Sequence, residues 1–279
     1  MISVFFNDQS RGPGKVAKNL ITGFNKLGVE FDINPSNVSD DDKVISLQPT
    51  SIMNTPHITH SIIGPNICVL PIENSVVMSQ QYKKIIVPSQ WVKDKYVKWL
   101  SEDKIFIWAV GINTDLFKDV SNVPKTNDCL IYYKNRDKKH LQIVKEFLKD
   151  KGQSFEVISY GSYNENQFME SISKSRYSIV VANTESQGIA IQEMMSSNLP
   201  LLVWDTIVWD GKGSEHLVPA TTVPYWSDKC GVKFNTYLEL EESYLTFSEK
   251  IDTFTPREYI IKNLSLEKKA QDLINVLND

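Results

Sequence analysis

Two glutamates, Glu185 and Glu193, lie eight residues apart where a predicted strand gives way to a helix. The strand covers residues 177–182, and a second apolar strand, 199–204, follows the helix. Ligands of open α/β sheets bind at the carboxyl ends of strands and at the starts of the following helices. Unpaired backbone N–H groups at such a start favour a diphosphate. The groups nearest to this start belong to Ser186, Gln187, Gly188 and Ile189.

The first half of the chain alternates short apolar runs with segments of helical period. This alternation indicates strands of a parallel sheet joined by helices, so the predicted fold class is α/β. Residues 7–15 are predicted to be a loop that contains Gly12 and Gly14, and the next helix is predicted to end at Gly28. The strands predicted in this half are residues 2–6, 43–47, 62–70 and 84–87.

The second half repeats the alternation after a polar stretch, residues 118–128. Strands are predicted at 129–133, 155–159, 177–182 and 199–204, with helices at 138–151, 165–173 and 187–197. The pattern loosens beyond Trp209, and helices return near the C-terminus. We therefore predict two nucleotide-binding-type domains, residues 1–120 and 121–265, and a terminal helix, residues 266–279.

These features resemble the group 1 glycosyltransferases, which have the GT-B fold. The likeness rests on the strand before Glu185, the spacing to Glu193, the intervening Gly188 and the strand that follows Asn198-Leu199-Pro200. It implies two Rossmann-like domains that face a central cleft, with the C-terminal helix crossing back to the first domain. It also implies that Glu185 lies beside the transferred sugar as a catalytic residue and that Glu193 binds the ribose of the nucleotide.

The resemblance further implies basic residues after the first strand of the second domain, where they neutralise the leaving diphosphate. Lys134 and Arg136 stand at that strand end, and Lys138 and Lys139 follow at the start of a helix. The usual glycine before the arginine is missing, so the choice among the four stays open. Glycine allows close backbone approach to a donor, which makes Gly12, Gly14 and Gly161 further candidates for the donor site.

Composition excludes several classes of protein. The residues are 41% hydrophobic and 23% charged, as in ordinary globular proteins. The net charge of −4 lacks the basic excess of a protein whose main partner is nucleic acid. The sequence places no Asp-x-Asp motif after a predicted strand, since Asp40-Asp41-Asp42 precedes the strand predicted at 43–47. We therefore expect no metal and no cofactor apart from the nucleotide-sugar donor.

The location predicted from the sequence is the cytoplasm. The three cysteines form no Cys-x-x-Cys pair and are typical of reduced thiols in a cytosol-like compartment. Residues 1–6 lack the charged start of a secretory signal, and no apolar run approaches the length of a transmembrane segment.

The function that this resemblance implies is transfer of a sugar from a nucleotide-diphosphate donor to an acceptor hydroxyl, with retention at the anomeric carbon. The acceptor is expected to be a glycan, a glycoprotein or a lipid. Two alternatives stay open. A nucleotide-sugar epimerase of the same fold would turn over the donor without an acceptor, and a two-domain binding module would only hold the sugar.

Overall fold

The computed structural model describes residues 1–7, 12–55, 57–209 and 218–279. It divides into two compact units. The first unit contains Met1–Ile112 and Asn263–Asp279, and the second contains Asn113–Lys262.

The first unit is built on a parallel sheet. Among its described residues, six strands lie in the order β2-β1-β3-β4-β5-β6. These strands are β1 (Ile2–Phe5), β2 (Phe31–Ile33), β3 (Lys43–Ser46), β4 (His60–Ile63), β5 (Tyr82–Val87) and β6 (Ile105–Ile107). The helices between them are α1 (Gly12–Leu27), α2 (Pro49–Met53), α3 (Ser75–Met78) and α4 (Gln90–Tyr96).

Helix α1 begins earlier than predicted. The expected loop, residues 7–15, is wrong for its last part, because Gly12 already belongs to the helix. Proline suits the first turn of a helix, since its missing N–H would have no partner there, so Pro13 does not prevent the earlier start. Residues 8–11 lie outside the described residues. Val16, Leu20 and Phe24 form the buried face of this helix.

Two edge strands are among those that the sequence reasoning missed. β2 has mostly exposed residues and carries no apolar run, so its sequence gives no strand signal. The second, β13 (Gly231–Phe234), begins with a glycine and contains Lys233. Both are edge strands of their sheets, where hydrophobic patterning is weakest. The strand predicted at residues 62–70 is instead β4, which ends at Ile63.

The second unit contains a parallel sheet of five strands in its described part, in the order β13-β10-β9-β7-β8. The strands are β7 (Asn127–Lys134), β8 (Phe155–Ser159), β9 (Ser175–Ala182), β10 (Leu201–Trp204) and β13. A separate antiparallel pair joins β11 (Val208–Trp209) to β12 (Val218–Pro219). The remaining α-helices in the described ranges are α5 (Lys138–Asp150), α6 (Glu165–Lys174), α7 (Ile189–Ser196), α8 (Leu240–Lys250), α9 (Pro256–Leu264) and α10 (Leu266–Asn278).

The central strands of this second sheet are buried on both faces. Successive residues of β7, from Cys129 to Tyr132, are at most 1% exposed, and Ile179–Ala182 of β9 are fully buried. Continuous apolar runs of this kind are typical of parallel strands covered by helices on both sides. These two buried stretches contain no charged side chain, and the charged Lys134 stands at the end of β7.

The C-terminal helix packs on the first unit. The Ile112 N–H donates to the Leu264 carbonyl at 2.8 Å, and the Trp108 indole N–H donates to the Lys269 carbonyl at 2.7 Å. Asn19 of α1 donates to the Gly111 carbonyl at 2.8 Å. The first unit therefore ends at Ile112, whereas the sequence placed the boundary at residue 120, and the returning segment starts at Asn263.

Candidate active site

The candidate site lies at the carboxyl edge of the second sheet. Lys134 is the last residue of β7 and is paired with Ala182, the last residue of β9. Trp204 ends the neighbouring strand, β10. The loop after β9 carries Glu185, so the parallel arrangement brings chain segments far apart in sequence to one edge.

Lys134 and Glu185 form an ion pair at this edge. The Lys134 Nζ lies 2.7 Å from one carboxylate oxygen of Glu185 and 2.8 Å from the other. Glu185 is only 7% exposed. Burial raises the pKa of the Glu185 carboxyl, and the nearby Lys134 ammonium opposes that shift. The ammonium also lies 4.3 Å from the centre of the Tyr160 ring, which stabilises it through a cation–π contact.

The loop that follows Glu185 is held by its own side chains. The Gln187 amide donates to the Gln192 side chain at 3.0 Å, and Gln192 donates back to the Gln187 carbonyl at 2.9 Å. Gly188 adopts a left-handed conformation, with φ of 83°, as the N-cap of α7. Other residues rarely adopt this φ, so the glycine permits the sharp entry into the helix. Ser186 and Ile189 flank the turn and are partly buried.

Glu193 lies in the second turn of α7 and is 2% exposed. Burial raises the pKa of Tyr163 to about 12, and the charges of Glu193 and Glu185 add to the increase. Tyr163 is hydrogen-bonded to Tyr132 and stacks on Phe168 with ring centres 4.9 Å apart. Two buried carboxylates thus share an environment lined by tyrosines, whose hydroxyl groups stay protonated at neutral pH.

Arg136 connects two strand ends. One guanidinium nitrogen donates to the Ala182 carbonyl at 2.8 Å and to the Trp204 carbonyl at 2.5 Å. The Nε donates to His140 at 3.1 Å, and the guanidinium lies 5.0 Å from the centre of the Trp204 ring. Burial lowers the pKa of Arg136 to about 10, and Asp205 opposes the shift, so the group is charged at neutral pH.

The other two basic candidates lie on the first turn of α5. Lys138 and Lys139 are both exposed, and the Asp137 carboxylate caps the helix by accepting from the Lys139 N–H at 2.9 Å. Of the four basic candidates, Lys134 therefore has the direct contact with Glu185.

Comparisons with known proteins identify the fold. No family model matches the sequence, and no curated protein matches it. Several solved structures do match. AviGT4, a glycosyltransferase involved in avilamycin A biosynthesis, aligns at 10% identity over 99% of this chain and 96% of its own, with a TM-score of 0.56.

Two further structures align over nearly their whole lengths. The lipopolysaccharide outer core galactosyltransferase WaaB has a TM-score of 0.61 at 10% identity, covering 99% of both chains. Sucrose-phosphate synthase from Thermosynechococcus elongatus has a TM-score of 0.60 at 10% identity, covering 99% of this chain and 98% of its own. The chain has the GT-B fold. This confirms the fold predicted from the sequence.

The glycines predicted to approach a donor fall in different parts of the GT-B fold. Gly161 follows β8 at the carboxyl edge of the second sheet, where its φ of 86° allows the tight turn from Ser159 to Ser162. Gly12 and Gly14 lie in the first turn of α1, in the first unit. Asn66 of the same unit donates to the Pro13 carbonyl between them at 3.4 Å.

Three residues of this candidate site are not among the site residues predicted from the sequence. Tyr160 and Tyr163 lie beside the two glutamates, and Asp205 follows β10 with only 5% of its surface exposed. A carboxylate directly after a buried strand was the available signal for Asp205. Among the described residues, no group of three or more His, Cys, Asp or Glu side chains could hold a metal ion.

No helix in the described ranges is both long enough and apolar enough to cross a bilayer.

Proposed function

We propose that this chain is a glycosyltransferase that moves a sugar from a nucleotide-diphosphate donor to an acceptor hydroxyl. Its fold is shared with enzymes named as glycosyltransferases. The observation that carries the proposal is the ion pair between Lys134 and the buried Glu185 at the carboxyl edge of the second sheet. Preorganised charges of both signs suit a reaction in which a cationic sugar separates from an anionic diphosphate.

The donor would bind in the second unit. The N–H groups around Gly188, at the start of α7, favour the diphosphate, and Lys134 supplies a positive charge at the adjacent strand end. Glu193 is buried one turn further along the helix and would accept hydrogen bonds from the ribose hydroxyls. Glu185 would then contact the transferred sugar.

The reaction retains the configuration of the anomeric carbon in this proposal. The bond from that carbon to the diphosphate oxygen breaks, and its electron pair leaves with the diphosphate. The acceptor oxygen forms the new bond on the same face, and its proton passes to the departing phosphate oxygen. Lys134 stabilises the charge that develops on the diphosphate, while the Glu185 carboxylate stabilises the sugar as it becomes cationic.

Divalent metal is not required in this mechanism. The Lys134 ammonium would take the place of a metal beside the leaving phosphate, and Arg136 adds a second, partly buried positive charge at the same edge. Charge-assisted contacts of this kind strengthen as the negative charge grows. Full transfer in excess EDTA is the expected result, whereas activity that is lost in EDTA and regained with Mn²⁺ would contradict it.

The acceptor class remains broad in this proposal: a glycan, a glycoprotein or a lipid. The neighbours differ in this respect, because one is named for a lipopolysaccharide and another for sucrose phosphate. The donor is easier to identify. A thermal-shift panel of nucleotides and nucleotide sugars would detect it, since a ligand that binds only the folded protein raises the Tm.

The decisive experiment incubates the donor found in this panel with and without mixed acceptors and follows the products by NMR. We expect a nucleoside diphosphate and a new glycoside with the anomeric configuration of the donor. An isomerised nucleotide sugar formed without acceptor would replace this proposal with an epimerase. Unchanged ligand after long incubation would instead identify a binding module.

A further inference from the structure

Asp205 is the centre of a buried hydrogen-bond network next to the candidate site. Its Oδ1 accepts from the Thr222 N–H at 2.7 Å, the Thr221 hydroxyl at 2.7 Å and the Thr206 N–H at 2.9 Å. Its Oδ2 lies 3.0 Å from the Thr221 hydroxyl and 3.1 Å from the Lys233 ammonium. The carboxylate therefore holds a chain segment sixteen residues further along the sequence.

This segment reaches the loop that carries the catalytic candidate. The Glu185 N–H donates to the Thr221 carbonyl at 3.1 Å, and the Thr222 hydroxyl donates to the Ala182 carbonyl at 3.4 Å. Residues 220–223 belong to no helix or strand. Their backbone is consequently held by contacts such as those with Asp205 rather than by a sheet ladder.

We infer that Asp205 is a positioning residue for Glu185, acting through Thr221. The carboxylate fixes Thr221, and the Thr221 carbonyl fixes the backbone of Glu185 so that its side chain stays beside Lys134. The effect on catalysis rests on the proposed function, whereas the effect on the loop does not. A small displacement of a catalytic group lowers the rate of the chemical step more than it weakens substrate binding.

Hydrogen bonding, rather than charge, carries this role. Lys233 is 40% exposed, and an ion pair with an exposed partner contributes little. Oδ1 accepts from three groups other than Lys233, and Asp205 itself is 5% exposed. Asparagine keeps an oxygen at this position and removes the charge, so Asp205→Asn separates the two explanations, while Asp205→Ala removes both the charge and the hydrogen bonds.

Hydrogen exchange of the full chain, followed by mass spectrometry, tests directly whether Asp205 holds the loop that carries Glu185. We expect peptides that cover residues 183–188 to exchange about tenfold faster or more in Asp205→Ala, because loss of the network lets the loop open. Asp205→Asn and the control Lys233→Ala should exchange as the wild type does. Wild-type exchange at 183–188 in Asp205→Ala would overturn the inference, as would equal effects of alanine and asparagine.

Steady-state kinetics test whether the position of Glu185 affects the rate of transfer. Asp205→Ala should lower kcat about tenfold or more with little change in the KM of the donor, and Asp205→Asn should restore kcat. Equal losses in kcat and donor binding would indicate general unfolding and overturn the positioning role. If Asp205→Ala does not fold, Thr221→Val replaces it. Wild-type exchange of residues 183–188 in that variant would likewise overturn the inference. A wild-type chain without transferase activity would refute the proposed function alone, because the exchange measurement still decides the positioning role.

Discussion

The ammonium group of Lys134 contacts both carboxylate oxygens of Glu185, although the two residues are 51 positions apart in the sequence. The carboxylate is almost fully buried, so removal of either partner would leave an uncompensated charge in a poorly solvated position. The pair therefore combines a catalytic candidate with a cation that opposes the effect of burial on the pKa of its carboxyl.

Glu185→Gln should abolish most of the transfer activity while the protein stays folded. The loss of a preorganised charge that acts on the transition state typically costs about 100-fold or more in kcat. Steady-state assays measure the rate, and circular dichroism checks the fold. Glu170→Gln is a matched control, because Glu170 forms an exposed ion pair with Lys174 on α6. Wild-type turnover in Glu185→Gln would remove the catalytic assignment.

The contribution of Glu185 to stability should fall as the pH rises. Its carboxyl has a raised pKa in the folded chain because of burial, so the folded state binds the proton more tightly than the unfolded state. The stabilisation is fully present below the unfolded pKa, near the usual 4.5, and is lost as the pH rises through the folded pKa. Urea titrations of the wild type and Glu185→Gln should show the difference in unfolding free energy changing in this direction. A difference that is constant with pH would contradict the prediction.

Arg136→Ala should lower the free energy of unfolding by about 2 to 4 kcal/mol, because two strand-end carbonyls lose a charged donor. Arg136→Lys should recover only a minor part, since one ammonium cannot reproduce the planar contacts with the carbonyls, His140 and the Trp204 ring. Urea denaturation measures both. Arg176→Ala, which removes an exposed arginine, should change stability by no more than about 0.5 kcal/mol.

The same variants also test the predicted contact between Arg136 and the diphosphate. Nucleotide calorimetry on folded Arg136→Lys should show weaker donor binding if that contact exists. Unchanged affinity would leave Lys134, Lys138 or Lys139 as the phosphate-binding candidates.

Glu193→Ala should weaken nucleotide binding by about 1.5 to 3 kcal/mol, because the ribose loses a hydrogen bond to a charged group. Calorimetry with the nucleoside diphosphate measures the change. Glu146→Ala is the control, because Glu146 is exposed on α5 and accepts a hydrogen bond from Gln142 of the same helix at 2.7 Å. Equal affinities of wild type and Glu193→Ala would contradict the ribose assignment.

Gly111→Ala should displace the C-terminal segment from the first unit. A Cβ at this position would lie 2.6 Å from the Leu266 Cα and 2.7 Å from the Ser265 carbonyl oxygen, distances that require the backbone to move. We expect a lower Tm and faster proteolysis within residues 263–279. Within the described part of the chain, a Cβ at Gly12 meets no atom within 4 Å, so Gly12→Ala should retain the wild-type protease resistance of residues 263–279.

Local sequence patterns were sufficient to predict much of the fold. The strand predicted at residues 155–159 matches β8, and the helix predicted from residue 138 matches the start of α5. Apolar runs between polar helical segments identify parallel strands, and the edges where those strands end are where ligands bind. The placement of Glu185 and Gly188 between β9 and α7 follows from the same reasoning.

Short edge strands escaped this reasoning because they do not have to be apolar on both faces. β2 and β13 each contain residues that face solvent, so neither forms a continuous apolar run. The end of the first unit also differs from the predicted boundary at residue 120. The unit ends at Ile112, whose N–H donates to the Leu264 carbonyl of the returning segment. A contact between residues so distant in sequence leaves no trace in local composition.

The sequence by itself determined the α/β class, the order of most strands and helices, and the strand end at which Glu185 stands. Only the tertiary structure decided that Lys134 pairs with Glu185, that Arg136 binds the carbonyls of Ala182 and Trp204, and that Asp205 holds Thr221. Hydrophobic periodicity is set by the burial of neighbouring residues along one segment. The partner of a polar side chain at a strand end depends instead on which strands are adjacent in the sheet and where their loops pass, which no single segment encodes.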